Sequence, residues 1–556
     1  MSSHHICAPS ARDILRYRSH HGVNLGGIFV LEKWLYPSMF DSSVAGSSEH
    51  DAVISSINNV GLEATREKWQ AHWSNALTEA DLHYLTTIAH CTTIRLPIGY
   101  FTLGPDFTQH TPFAMSPSQV YTNAWSAVVN MVRRCHAHGV GVLLDLHACP
   151  GGANAEIHSG ISTRKAELWE TDSNLSLTKQ CLCFIAAEVK NRGLEGVVGL
   201  QLCNEAISNA SGMYSWYDSV IASIAQIDST IPIYISDAWD IPRAVEYSVR
   251  MNTTAISAVK SPINPVIIDT HRYYTFSAED AGKFPLQIID QISSTELSEL
   301  DTPKSGRVFE QRGAVGVFVG EWSCALAPTT WAQVTPSQRK DFTKELGKVQ
   351  AERWRSQGPA VGGGAFWTYN TNWCSGKACK GREEWSFRMQ VDTGAIRAPS
   401  WLSLTRGEVW RKVKEAEKSR SRSMVKAMEE HEAYWDGTSG KAAYFEHWRY
   451  GDGWHLGWCD ARDFFAGRAN GLVATAEKAV VVGCRFGGKA KKDDAVVVGA
   501  DRIGFLDLWV LKRMRDEGPG GVGDRDRDGC QFGWEWEHGF RKGVQDFERA
   551  VGVEEK

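Results

Sequence analysis

Two glutamates stand directly after hydrophobic runs, Glu205 in LQLCNE and Glu321 in VFVGE. A charged side chain in such a place costs free energy unless it faces a polar cavity or a partner. Two carboxyl groups brought together from separate strands form the machinery of glycoside hydrolysis. In its retaining form they lie about 5–5.5 Å apart, one attacking the sugar and the other protonating the leaving oxygen. The pair predicts this chemistry.

The residues around the two glutamates predict how they divide the work. Asn204 could donate its amide to a substrate 2-hydroxyl, an interaction that strengthens in the transition state. Arg95 beside Glu321 would keep that carboxylate ionised and nucleophilic, and Tyr273 could hydrogen-bond the same group. Glu205 must instead hold its proton near neutrality and exchange it between the leaving oxygen and water.

Other polar or aromatic residues also follow hydrophobic runs. Arg95 ends TTIR, His147 ends LLDLH, His271 follows VIIDT and Trp367 ends GGAFW. Six strands that end in this way imply one shared polar pocket at a single rim. Asp145, two residues before His147, is interpreted as a partner that orients this region.

Eight candidate strands alternate with amphipathic helical stretches between about residues 20 and 412. They are GVNLGGIFVL, TTIRLPIGY, GVGVLLDLHA, GVVGLQLCNEA, IPIYISDAW, NPVIIDTHRYY, GAVGVFVGEW and GGGAFWTYN. Buried strands that are each followed by a helix are the sequence form of an α/β fold, the (β/α)8 TIM barrel. We expect insertions at 41–75 and 277–312, because the span exceeds the usual barrel size.

Three segments are expected along the chain: an N-terminal segment at 1–19, a catalytic barrel at 20–412 and an α-rich extension at 413–556. The extension contains two copies of one pattern, beginning at Trp448 and Trp534: Trp-x-aromatic-x-x-Gly-aromatic-x-x-Gly-x-x-Asp. Aromatic and glycine positions three to four residues apart are helical and favour a buried helix–helix contact over a sugar-binding surface. The segment RMRDEGPGGVGDRDRDG between the copies is predicted to be a solvated loop.

Residues 20 to 400 resemble glycoside hydrolase family 5, specifically its fungal exo-β-1,3-glucanase branch. The matching pieces occur in the family's order: GVNLGGIFVLEKW, IRLPIGYF, LLDLHACPGGANAEIHSG, LQLCNEA, HRYYTF, VGEW and AFWTYN. A single short string of this kind arises by chance, whereas seven ordered blocks are specific.

The resemblance implies a role for each matching residue. Glu205 matches the acid/base and Glu321 the nucleophile, while Glu32 matches a glutamate that binds hydroxyls at the non-reducing end. Phe276 matches an aromatic that clamps the sugar in the +1 region. The residues that match the shell of the −1 subsite are Arg95, His147, Asn204, His271, Tyr273 and Trp367. The chemistry implies no metal and no cofactor.

The sequence departs from the family pattern on the side of the leaving group. Ala206 follows the acid/base where many members have proline, and the loop after His147 carries Ala148-Cys149. His158 stands where an acidic or amide residue is expected. These changes leave the aglycone preference open.

Composition limits the partners and the location. With 60 basic and 65 acidic residues and a net charge of -5, no basic excess exists to attract nucleic acid. The first twenty residues lack an apolar run of the kind found in signal peptides, and no run is long enough to span a bilayer. Many of the 13 cysteines lie in strand-like runs, which is typical of reduced thiols. A cytoplasmic protein with reduced thiols is predicted, although Cys374 and Cys379 could pair or bind metal.

Three functions remain open at this point. The leading hypothesis is release of terminal β-D-glucose from β-1,3-glucan or glucooligosaccharides. The second is a β-glucosidase for a small or lipid aglycone, such as a steryl or ceramide glucoside, and the third is a silent sugar-binding scaffold. The intact pair of glutamates argues against the scaffold. Oligomeric state is not indicated.

Overall fold

Eight parallel strands close into a barrel in which each strand pairs with its sequence neighbours and the first pairs with the last. The structure is a computed structural model that describes residues 7–42, 44–254, 264–300, 307–356, 358, 360–369, 382–439, 444–475, 496–516 and 532–553. The strands are β1 His20–Asn24, β2 Thr93–Gly99, β3 Gly141–Ala148, β4 Val197–Gln201, β5 Ile233–Ser236, β6 Val266–Tyr274, β7 Val317–Leu326 and β8 Val361–Phe366. Each of the eight predicted runs overlaps one strand, which confirms the TIM barrel. Three bounds differ from the prediction: β1 begins two residues before its run, β7 ends four residues after its run and β8 begins one residue early.

The helices surround the barrel and form the extension. In chain order they are α1 Ala11–Tyr17, α2 Glu49–Val60, α3 Leu62–Asn75, α4 Glu79–His83, α5 Ser116–Val120, α6 Ala124–Ala137, α7 Asp172–Asn191, α8 Met213–Asp228, α9 Ile241–Met251, α10 Ala278–Ala281, α11 Pro285–Ser294, α12 Val308–Gln311, α13 Pro328–Trp331, α14 Pro336–Ser356, α15 Phe387–Asp392, α16 Arg406–Ser439, α17 Trp448–Ala466, α18 Leu506–Asp516 and α19 Gly533–Ala550. Helices α2 and α3 lie in the first predicted insertion and α10 to α12 in the second.

The extension closes the barrel at the end where the strands begin. Phe505, Leu508 and Trp509 belong to one buried apolar cluster with Val198 and Phe318, residues near the starts of β4 and β7. Helix α1 contributes to the same cluster. The opposite rim, where the strands end, therefore stays available for a site.

The buried carboxylate of Asp501 holds together the closed end of the barrel, which we call its floor. Arg18 and Asp501 are both fully buried, and Arg468 donates a 2.8 Å hydrogen bond from Nε to the same Asp501 carboxylate. Burial raises the pKa of Asp501, but the two guanidinium groups outweigh it and hold the pKa below its usual value. The carboxylate thus joins the segment before β1 to the extension.

The two copies of the repeated pattern are helices α17 and α19, packed against each other through glycines. A Cβ on Gly453 would overlap the carbonyl oxygen of Trp536, and a Cβ on Gly539 would overlap that of Tyr450. Because Tyr450 and Trp536 occupy equivalent positions in the two copies, the contact is reciprocal. The predicted helix–helix contact is confirmed.

The tryptophans of the repeat divide between core and surface. Trp454, Trp458 and Trp536 are buried, as the helical spacing predicts, and Trp534 is partly buried. Trp448 is 58% exposed, so the core prediction was wrong for this residue, which lies at the start of α17 with Arg449 over its ring. A residue in the first turn can point past its partner helix.

Two predictions fall wholly or largely on residues outside the described ranges: the possible pairing of Cys374 with Cys379, and the solvated loop between the two copies. The first four residues of that loop, 513–516, are described and form the end of α18, where Arg513 and Met514 are buried, so the loop prediction was wrong for them. The cysteines within the described ranges are free thiols, most of them buried. Among the described helices, none combines the length and apolar character needed to cross a bilayer.

Candidate active site

A cavity of about 1090 Å³ opens at the rim where the strands end. Eight of the ten predicted site residues line it: Glu32, His147, Asn204, Glu205, Tyr273, Phe276, Glu321 and Trp367. The other two, Arg95 and His271, lie beneath this lining and contact it through Glu321 and Glu205. The structure therefore brings all ten residues to one site.

The two glutamates face each other across this cavity. Carboxylate oxygens of Glu205 and Glu321 lie within 4.8 Å of each other, and a ring nitrogen of His271 lies within the same distance of both. His271 Nδ1 is 2.8 Å from Oε1 of Glu205 and 3.6 Å from Oε2 of Glu321. One imidazole thus bridges the two carboxyl groups.

The backbone at Glu205 is unusual. Its φ of 44° lies in the left-handed region, which costs a non-glycine residue about 1–3 kcal/mol and persists only where the surroundings fix it. The residue follows β4, and the amide of the next residue, Ala206, donates to Ser236 Oγ at the end of β5. Strained positions of this kind cluster at functional sites.

Glu321 receives a donor on each of its carboxylate oxygens. Arg95 Nη1 lies 2.7 Å from Oε1, and the Tyr273 hydroxyl donates to Oε2 at 2.7 Å. The residue sits in β7 opposite His271 of β6. Both contacts were predicted, and together they fix the orientation of the carboxyl group.

Arg95 is fully buried and anchored by polar side chains from several strands. Beyond Glu321 it donates to Asn24, Gln201 and Asn204 at 2.8–3.0 Å and pairs with Asp145 at 3.0 Å. Burial lowers the pKa of this guanidinium, but the carboxylates around it outweigh burial and raise the pKa above its ordinary value. Arg95 therefore remains a fixed positive charge beneath the cavity.

Two histidines are each oriented by an aspartate two residues earlier on the same strand. Asp145 Oδ2 lies 2.7 Å from Nδ1 of His147, and Asp269 Oδ2 lies 3.0 Å from Nε2 of His271. The prediction for Asp145 is confirmed. Asp269 was missed, although the repeated Asp-x-His spacing places both side chains on one face of a strand and could have identified it.

Glu205, on the other side of the cavity, has two imidazole neighbours. His158 Nε2 lies 3.3 Å from Oε2 of Glu205, while His271 contacts the other oxygen. Burial raises the pKa of Glu205, but these two histidines outweigh burial and hold the pKa well below its usual value. This differs from the expected acid that keeps its own proton near neutrality.

Trp367 forms part of the cavity wall at the end of β8. Its ring lies nearly parallel to that of His147, with centroids 5.9 Å apart and planes 9° apart. The side chain is buried apart from the part that lines the cavity. A flat apolar face beside hydrogen-bonding groups suits a sugar ring.

A second aromatic group lies at the mouth of the cavity. Phe276 is 74% exposed, and its ring centroid lies 5.5 Å from that of Tyr273 and 6.1 Å from that of Trp385. Trp385 in turn contacts Trp34 at 5.7 Å. Trp34 and Trp385 were not identified from the sequence, because tryptophans outside a strand end carry no distinguishing signal.

Glu32 lies in the loop after β1 and is buried. Its Oε2 accepts a 2.8 Å hydrogen bond from the indole of Trp34. Burial is the largest influence on its pKa and raises it, despite the opposing effects of His158, His147 and that hydrogen bond. A buried carboxyl group in the cavity wall suits hydroxyl recognition.

The segment after β5 contributes one cavity residue and two scaffold residues. Trp239 lines the cavity and is 55% exposed. Asp237 instead accepts from Thr270, and Asp240 caps α9 by accepting from the amide of Arg243. Of these three residues, only the tryptophan is placed to touch a ligand.

Two clusters of described residues bring together the ligand types that a metal ion would need. One is Glu205, His271 and Glu321; the other, in the extension, is His431, His447 and Glu535. In the second cluster both imidazoles lie 2.9–3.0 Å from Oε2 of the buried Glu535. These contacts hold the Glu535 pKa below its usual value although burial raises it.

The cavity combines a carboxylate stabilised by an arginine and a tyrosine with a carboxyl group between two imidazoles. Two carboxyl groups in such different surroundings can supply a nucleophilic oxygen and a group that gives and accepts a proton. Aromatic walls and a further glutamate complete a site for a polyhydroxylated ring.

Comparison with known proteins agrees with this geometry. Residues 53–344, more than half of the chain, match the family model described as cellulase, glycosyl hydrolase family 5. Residues 416–551 match the C-terminal domain of glucan 1,3-beta-glucosidase 3.

Among relatives, glucan 1,3-beta-glucosidase 3 of Schizosaccharomyces pombe is 29% identical over 82% of this chain and 88% of its own. An uncharacterized glycosyl hydrolase of Saccharomyces cerevisiae is 26% identical over 97% and 94%. The rutinosidase structure from Aspergillus niger shares the fold, with a TM-score of 0.52 and 17% identity over 69% of this chain and 99% of that one. The chain therefore belongs to glycosyl hydrolase family 5 and is an O-glycosyl hydrolase.

Proposed function

We propose that the chain is a retaining β-glucosidase in which Glu321 attacks the anomeric carbon and Glu205 is the acid/base. The observation that carries this proposal is the separation of the two carboxylates, within 4.8 Å between oxygens. Retaining enzymes need about 5–5.5 Å between the carboxyl groups, whereas inverting enzymes need about 6.5–9.5 Å to admit a water.

The first step forms a glycosyl–enzyme bond at Glu321 and breaks the bond from C1 to the leaving oxygen. Arg95 and Tyr273 each hold one oxygen of the attacking carboxylate in place. The leaving oxygen takes a proton from Glu205. In the second step Glu205 removes a proton from water, which attacks C1 and frees Glu321.

The remaining predicted residues are assigned to sugar binding. Asn204 and His147 would bind ring hydroxyls near the reacting carbon, and Glu32 would bind hydroxyls of the terminal sugar. Trp367 would support the ring, and Phe276 the sugar or aglycone beyond the cleaved bond. The positions of these side chains along one cavity support the assignment.

The proposed substrate is a β-1,3-linked glucan or oligosaccharide, cleaved at its terminal glucose. Support comes from the relatives named glucan 1,3-beta-glucosidase and from the match of the extension to a domain of that name. Purified protein incubated with laminari-oligosaccharides, cello-oligosaccharides, aryl glucosides and steryl glucoside tests it. We expect glucose from the laminari series at the highest kcat/KM, and no glucose from any of the four would reject the proposal.

A second candidate is a β-glucoside with an apolar aglycone. One arm of the cavity is lined by Ala325, Leu326, Pro328 and Trp331, which follow Glu321 along the chain. An apolar aglycone would bury surface there. In that case Trp331→Ala would lower kcat/KM for steryl glucoside by tenfold or more while leaving laminaribiose nearly unchanged.

Domain division and location are proposed on the same basis. Residues 20–412 would form the catalytic unit, and residues 1–19 and 413–556 would close its floor. The free thiols among the described residues fit a reducing cytoplasm. Localisation of a tagged full-length chain by fluorescence tests the last point, and accumulation in the medium would contradict it.

A further inference from the structure

His158 lies over the proposed acid/base, at the carboxyl oxygen opposite the one that His271 contacts. A short helical turn, Ile157–Ser159, in the loop after β3 carries it into the cavity. Its Nε2 lies 3.3 Å from Oε2 of Glu205, and its ring centroid lies 5.2 Å from that of His147. The side chain is 19% exposed, so the contact is largely shielded from water.

The two histidines beside Glu205 differ in how their second nitrogen is bound. His271 contacts Glu205 through Nδ1 and Asp269 through Nε2, so carboxylates hold both sides of its ring. In His158 the buried Nδ1 has no hydrogen-bond partner among the residues that the structure describes. A proton can therefore leave His158 for Glu205 without weakening a second ion pair, whereas loss of a proton from His271 would turn its ion pair with Asp269 into a hydrogen bond from a neutral ring.

We propose that His158 and Glu205 hold one catalytic proton between them, with His158 acting as a positioning residue that keeps this proton available to the acid/base at alkaline pH. The proposal deepens the proposed function and rests on it. It also explains how a carboxyl group flanked by imidazoles can still serve as an acid.

Other titratable and charged groups face this pair from each neighbouring element. They are Glu32 after β1, Arg95 on β2, His147 on β3, Glu156 in the same loop, His271 and Tyr273 on β6 and Glu321 on β7. Burial lowers the pKa of His158, but Glu205, Glu32 and Glu321 outweigh it and raise the pKa to about 9. The surrounding negative charge thus retains the shared proton well above neutrality.

The proton balance closes over one turnover. In the resting pair one proton is bound, and it moves to Oε2 of Glu205 as His158 becomes neutral. Cleavage passes this proton to the leaving oxygen while the C1–oxygen bond breaks, which leaves the pair with none. Glu205 then takes a proton from the attacking water, and the pair returns to its starting state.

The pH dependence of kcat/KM with laminaribiose, whose leaving group needs protonation, tests the proposal. Loss of the shared proton sets the pH above which kcat/KM falls, which is the alkaline limb of the profile. His158→Asn keeps polarity and approximate size but cannot carry the proton. We expect its alkaline limb to move about 1.5 pH units lower, so that kcat/KM at about pH 8.5 falls roughly tenfold and changes less than about threefold near pH 5.5.

Two outcomes would overturn the proposal: a limb that does not move, or a fall of equal size at every pH, which would indicate a structural role. His158→Gln serves as the second variant if the asparagine protein does not fold, as judged by circular dichroism. His110→Asn is the matched control, because this exposed histidine has φ 61°, which asparagine tolerates, and does not line the cavity. The alkaline limb of the kcat/KM profile of His110→Asn should stay at the wild-type pH.

A dinitrophenyl glucoside separates this effect from damage to the nucleophile. Its leaving group departs without protonation, so wild type and His158→Asn should share one alkaline profile. A difference with this substrate would contradict the shared proton. Absence of any glucosidase activity in the wild type would instead reject the proposed function, which keeps the two failures distinct.

Discussion

Oxygens of Glu205 and Glu321, residues that stand 116 positions apart in the sequence (321 minus 205), lie within 4.8 Å of each other. The closed barrel makes this possible, because β4 and β7 end at the same rim. His271, on β6, contacts both carboxylates. The proposed chemistry depends on this arrangement.

Removal of the proposed nucleophile should abolish turnover. Glu321→Gln keeps the size of the side chain but cannot form the glycosyl–enzyme bond, so kcat for an aryl β-glucoside should fall by about four orders of magnitude or more. Glu156→Gln, a change to another cavity glutamate whose side chain is 61% exposed, is the control and should retain most activity. Comparable activity of the two variants would contradict the assignment.

Azide should restore the turnover that is lost when the proposed acid/base is removed. With a good leaving group, Glu205→Ala should still form the glycosyl–enzyme bond, but its hydrolysis should stall because no base activates water. Azide is a nucleophile that needs no base, so it should restore turnover and yield a β-glucosyl azide. An unchanged rate in azide would reject the role of Glu205.

Arg95 should matter for stability as well as activity. Arg95→Met leaves Asp145, Glu321 and neighbouring amides without their buried cation, and breaking such a pair costs about 3–5 kcal/mol in the free energy of unfolding. Urea unfolding followed by circular dichroism measures this loss. Tyr273→Phe removes one hydrogen bond to Glu321 and should cost only about 0.5–1.5 kcal/mol. Equal losses in the two variants would argue against Arg95 as the anchor.

The glycine contact in the extension should tolerate no side chain. Gly453→Ala forces a Cβ against the carbonyl oxygen of Trp536, and overpacking of this kind costs about 1–3 kcal/mol. Gly437→Ala, in α16 with nothing near its added Cβ, should instead stabilise by up to about 1 kcal/mol. Thermal unfolding of both proteins gives the comparison, and a neutral Gly453→Ala would refute the close approach.

Much of the barrel could be predicted because its strands are buried on both faces and appear as hydrophobic runs. The polar residue that ends each run identified the rim, which is why Arg95, His147 and Glu321 were found together. The glycine and aromatic spacing likewise predicted the helices of the repeat. Exposed Trp448 shows the limit, since a spacing pattern does not fix where the helix contact begins.

Other parts of the site depend on tertiary contacts that no local pattern encodes. His158 was noticed as a departure from the family, but its distance to Glu205 follows from the path of a loop. Trp385 reaches the cavity from a segment outside the strands. The low pKa of Glu205 follows from two histidines brought in by different elements, so it could not be inferred from the residues next to it in sequence.

The anomeric configuration of the first product tests the central claim most directly. Proton NMR during early hydrolysis of an aryl β-glucoside distinguishes β-glucose from α-glucose before the two equilibrate. Double displacement through Glu321 predicts β-glucose as the first product. Initial formation of α-glucose would show a single displacement by water and would contradict the account.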